Sequence, residues 1–95
     1  MGALIWAPSA LDDADAIAEY IARDSKDRAS LFIKRLLQIT ERLKKFPLSG
    51  RIIPEIKNPA CREIIYGSYR IMYKIEEDEI WITGIAHAAR KWTSE

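Results

Sequence analysis

Apolar positions recur along this chain with two different spacings, and the change from one to the other divides it. Ala3-Leu4-Ile5-Trp6-Ala7 is a short apolar run that reads as a strand stopped by Pro8. Leu11, Ala14, Ile17, Ala18 and Ile21 then fall on one stripe at helical spacing. Ser9 followed by Asp12 has the form of a capping box, and Asp12, Asp13 and Asp15 suit the positive end of the helix dipole. This helix should fade near Asp24. A polar connector, Asp24-Ser25-Lys26-Asp27, leads to a second helix capped by Ser25 or Asp27. Its apolar face is Ala29, Phe32, Ile33, Leu36, Leu37, Thr40 and Leu43; Lys34, Arg35, Gln38, Glu41, Arg42 and Lys45 make its wet face. Lys44 and Lys45 suit its C-terminal end, and Pro47 ends it.

From Cys61 onward the period drops to two. Tyr69, Ile71, Tyr73 and Ile75 alternate with Arg70, Met72, Lys74 and Glu76, the pattern of a strand with one buried face. Gly67-Ser68 and Glu77-Asp78-Glu79 supply turns on either side. Ile80 to His87 is apolar at both alternations and reads as a central strand. Between the two regimes, Pro47 to Ala60 holds three prolines and Gly50, so no long element is expected there; Ile52, Ile53 and Ile56 should anchor it to the core. The order is strand, helix, helix, three strands. That predicts an α+β fold, βααβββ, with a helical hairpin on one face of a small, largely antiparallel sheet. Arg62, Arg70 and Lys74 are then expected on the open face or its edge.

Composition narrows the function classes. At 95 residues the chain reads as one domain, residues 1–95. The net charge is +1, which gives no sign of a polyanion partner. One cysteine and one histidine form no ligand cluster, so neither a disulfide nor a metal is expected, and no cofactor motif is present. No apolar run approaches a membrane span or a signal peptide, and a reducing cytoplasmic setting fits.

The candidate chemistry sits on the last three strands and the loop before them. A meander could bring Arg62, Arg70, His87 and Arg90 together. Arg51, Glu55 and Lys57 lie on the loop, a natural place for function. Plainer roles stand beside these. Arg70 could pair with Glu63 across the sheet, Arg51 could tie the loop down, and His87 could be structural. Trp6, Trp81 and Trp92 suit the core or its edge.

Several stretches carry a resemblance in order: Trp6-Ala7-Pro8-Ser9-Ala10, Ile17-Ala18-Glu19-Tyr20-Ile21, Pro47-Leu48-Ser49-Gly50-Arg51 with Pro54-Glu55, Arg62-Glu63, Tyr69-Arg70-Ile71-Met72-Tyr73, and Ile85-Ala86-His87 with Arg90-Lys91-Trp92. With the βααβββ order, this set resembles the RelE/ParE superfamily of bacterial type II toxin–antitoxin toxins, over almost the whole chain. The resemblance is strongest to ParE-like members. It implies a plasmid-stabilisation type toxin that poisons DNA gyrase, is neutralised by a cognate antitoxin, and assembles as a dimer or a heterotetramer with it. Arg51, Arg62, Arg70, His87 and Arg90 are the residues expected to bind the target. The resemblance also extends to RelE-like and YoeB-like ribosome-dependent messenger-RNA interferases. On that reading Arg70 and Arg90 would hold the phosphate, and Glu55 and His87 would move protons. Glu63 and Ile65 stand where RelE-like nucleases carry lysines, Ala88 and Ala89 follow His87 where YoeB-like members close on His-Tyr, and the charge is low for a ribosome-directed nuclease. A third reading is an inactive relative that only binds an antitoxin.

Overall fold

The computed structural model describes residues 2–88. Strand β1 (Ala3–Trp6) leads into helix α1 (Pro8–Ala22) and helix α2 (Lys26–Arg42), followed by β2 (Arg51–Ile52), β3 (Cys61–Tyr66), β4 (Tyr69–Glu76) and β5 (Glu79–His87). The expected order holds, with one addition: the loop after α2 contributes the two-residue strand β2. The sheet order is β1-β5-β4-β3-β2, with β1 parallel to β5 and the other pairs antiparallel.

The helical stripes pack on one face of this sheet. Ala10 and Ala14 of α1 join Phe32 and Leu36 of α2 and the nearby Leu43 against Ile71, Tyr73, Ile80, Ile82 and Ile85. Leu37 departs from the expected apolar face and is 53% exposed, while Ile39 packs against the core instead. In the loop, Ile53 is buried but Ile52 lies on the exposed edge strand.

Helix α1 does not start as its capping pattern suggested. Pro8 occupies the first turn and Ala7 is the N-cap, with no side-chain cap bond. Proline at this position already has the helical φ and lacks an N–H that would go unpaired. Ser9 Oγ instead donates to the carbonyl of Thr83 at 2.9 Å. Starting at Pro8 also leaves the first turn without an acidic residue. Ser25 caps α2 by accepting from the Arg28 amide at 3.1 Å.

A bulge in β5 fixes how α1 meets the sheet. Met72 pairs with Gly84 but Tyr73 pairs with Ile82, so Thr83 is an extra residue. That extra residue lets Ile82 and Ile85 both face the helices, against strict alternation. Asp13 Oδ2 accepts from the Ile85 amide at 3.0 Å, and Ser9 takes the Thr83 carbonyl, so α1 is pinned at the bulge. Among the described residues no helix is long and apolar enough to cross a membrane.

Candidate functional site

The turn after α2 brings β2 alongside β3, with Arg51 opposite Glu63 and Ile52 opposite Arg62. On the open face of the sheet, away from the helices, four charged side chains meet. Arg51 Nε donates to Glu63 Oε2 at 2.6 Å, and Arg70 Nε donates to Glu63 Oε1 at 2.6 Å. Arg70 Nη1 and Nη2 then reach the two Glu55 oxygens at 2.9 and 2.8 Å, a bidentate pair. Glu63 is 1% exposed and Arg70 4%, so both charges are out of water and satisfied by each other. The hydrogen bonds it donates to Glu55 chiefly, and to Glu63, hold the Arg70 guanidinium firmly protonated against the cost of its burial.

Strand alternation separates the other candidates. Arg62 lies across from Tyr73, whose neighbours Ile71 and Tyr69 face the helices, so Arg62 is on the helix side and not on the open face. This corrects the expected placement. Its guanidinium donates to the carbonyls of Pro59 and Gly50, each at 2.9 Å. Tyr73 works beside it. Its hydroxyl donates to the Pro47 carbonyl at 2.6 Å and accepts from the Gly50 amide at 3.0 Å, stapling the loop to the core. Burial pushes this phenol above its usual range, against the opposing pull of the Gly50 bond and the Arg62 charge.

His87 pairs with Tyr69 and meets its ring edge-on at 5.8 Å. By register it shares the face of Tyr69, opposite to Arg70, so these two candidates do not converge. Arg90 and Trp92 lie outside the described residues. Arg51, Glu55 and Arg70 are therefore the expected residues that come together, and Arg62 and His87 stand apart from them. Lys74 is exposed, on the open face opposite Cys61. Glu63 is the residue whose central place the sequence showed only in part, as a cross-strand partner of Arg70. A groove of about 780 Å³ runs between α1 and the sheet, lined by Asp13 and Ile17 on the helix and by Met72, Gly84, Ala86 and His87 on the strands. Among the described residues, no group of three or more His, Cys, Asp or Glu is placed to hold a metal ion.

A family model described as the ParE toxin of type II toxin-antitoxin system, parDE, matches residues 4–92. The chain belongs to the ParE toxin family. Two curated relatives carry toxin names. Toxin RelE2 of Caulobacter vibrioides is 31% identical over 91 residues, covering 95% of this chain and 99% of that protein. Y4kP of Sinorhizobium fredii, named as a candidate toxin, is 33% identical over 89 residues, covering 92% of this chain and 88% of that protein. The fold of this ParE-family toxin matches a solved structure titled as the chromosomal ParDE TA system from P. aeruginosa. The TM-score is 0.75 at 21% identity, over 92% of this chain and 96% of that one.

Proposed function

We propose that this ParE-family toxin acts by binding DNA gyrase rather than by cutting RNA, and that a cognate antitoxin neutralises it in the cytoplasm. The observation that carries this reading is the engagement of Arg70. A nuclease would aim that cation at the scissile phosphate and would keep Glu55 ready to take a proton. Here both Glu55 oxygens and one Glu63 oxygen accept from Arg70, and its side chain is almost fully buried. His87, the other proton-transfer candidate, lies on the opposite face by register. Such a network holds the loop and β2 in one shape, which suits a surface that works by contact. Arg51 at the rim, 59% exposed at its side chain, is the member offered to a target.

In this reading the antitoxin binds along α1 and β1, on the other side of the sheet order. Leu11 and Tyr20 of α1 are exposed at 49% and 69%, and β1 is an edge strand. An amphipathic helix and an extended segment fit those two features. The interferase reading is kept as the second one because a 31% identical relative carries the name RelE2.

Growth arrest on expression of the chain separates the two. Gyrase poisoning produces double-strand DNA breaks and a DNA-damage response while transcripts stay intact. Cleaved transcripts with unbroken DNA would overturn the proposal.

A further inference from the structure

A second surface lies at the far end of the sheet from α1 and β1, where the C-terminal half of α2 overhangs β3. Ile39 and Tyr66 form its apolar floor in an open groove of about 850 Å³. Arg35, Arg42 and Lys45 stand on its rim. Lys44, also on the rim, pairs with Glu41 at 2.7 Å. The charge is local. Between Lys34 and Lys45 five of the six charged residues are basic, while the whole chain carries only +1. None of these residues takes part in the Arg51–Glu63–Arg70–Glu55 network or in pinning α1 to the sheet.

We propose that this groove is a docking site for an acidic amphipathic helix of a partner protein. Arg35, Ile39 and Arg42 recur at i, i+4 and i+7, so one stripe of α2 alternates cation, apolar contact, cation. From Arg35 to Arg42 the helix rises about 10 Å at ~1.5 Å per residue, enough to lie along about two turns of a facing helix. Such a partner would set apolar anchors at i, i+3 or i+4 and i+7 onto Ile39 and Tyr66. Its flanking carboxylates would meet the arginines and Lys45. Charge at the rim would then choose the partner and speed its approach more than it would add affinity. A single nucleic-acid strand fits less well. It needs successive aromatic faces, but among the described residues Tyr66 is the one aromatic of the lining, and one of its faces is already stacked on Phe32 at 5.6 Å. Glu41 also places a carboxylate on the same rim.

The experiment is amide chemical-shift mapping of the full chain with a synthetic 15-residue helical peptide, leucine at positions 1, 4, 8 and 11 and glutamate flanking them. Saturable shifts centred on Arg35, Ile39, Arg42 and Tyr66 are expected. The double variant R42E/K45E should weaken binding by about ten-fold or more, two rim charges being turned from attraction to repulsion. Both exchanged residues are solvent-exposed, so the variant should fold, and its unperturbed spectrum checks this. Three results would overturn the proposal: no saturable shift, equal binding by R42E/K45E, or a uridine decamer that occupies the groove more tightly than the peptide. Shifts at this groove that appear on concentrating the chain alone would also overturn it, in favour of a second copy as the occupant.

Discussion

Removing Arg70 tests the charge network most severely. In Arg70→Ala, Glu63, 1% exposed in the unmodified chain, loses one of its two arginine partners, and Glu55 loses both of its Arg70 hydrogen bonds. Breaking a buried pair by removing one partner costs about 3–5 kcal/mol. The lower end applies here, because Arg51 still holds Glu63 Oε2 and Glu55 can turn to water. A loss of about 3 kcal/mol is a large part of the ~5–15 kcal/mol that holds a small domain together. At ~4–8 °C per kcal/mol it lowers the melting temperature by about 12–24 °C. Urea denaturation followed by circular dichroism gives the free energy directly. The double replacement Glu63→Leu/Arg70→Met should recover most of the loss, since well-packed apolar residues replace a buried pair at little cost. With the single variants Glu63→Leu and Arg70→Met, the unmodified chain and this double replacement form a cycle whose coupling term should be about 2–3 kcal/mol. A loss below about 1 kcal/mol for Arg70→Ala would mean that the guanidinium is not what satisfies Glu63.

Tyr73→Phe removes a hydroxyl that serves Pro47 and Gly50, and leaving both without it should cost about 1–3 kcal/mol in the same denaturation assay. Because burial raises the folded-state pKa of Tyr73, the folded chain binds more protons than the unfolded one above pH ~10, and stability falls as pH rises through that range. The fall should be shallower in Tyr73→Phe, and identical pH profiles would contradict the assignment. Gly50→Ala should destabilise by about 1–3 kcal/mol, since its new methyl would sit 2.6 Å from the Glu63 carbonyl and 2.7 Å from the Tyr73 hydroxyl. Glu55→Gln and His87→Gln should each keep growth arrest, measured by colony counts on induction, because neither residue is assigned a proton to move; loss of arrest with retained folding would favour the interferase.

Both helices, the last two hairpins and the anchoring role of Ile53 were legible from periodicity, because each is set by residues close in sequence. The Thr83 bulge was not. A run as apolar as Ile80 to Ile85 gives no sign of which residue is the extra one, and the answer depends on where Asp13 reaches the sheet. Ser9 misled for a related reason. It carries a capping side chain, but Pro8 starts the helix one residue earlier and leaves that hydroxyl to the bulge. Arg62 was expected on the open face or its edge because its charge was weighed and its reach to loop carbonyls was not. At the candidate site, cross-strand proximity suggested the Arg70–Glu63 pair. Glu55 arrives from a loop whose path no local pattern encodes, and its closure on Arg70 decides how that arginine reads.

Action by contact with gyrase is tested most directly by a supercoiling assay with purified gyrase and the purified, folded chain. Supercoiling should be inhibited with cleaved DNA trapped on the enzyme, the antitoxin should relieve the inhibition, and Glu55→Gln should inhibit as well as the unmodified chain. Full supercoiling activity at a large molar excess of folded toxin would contradict it.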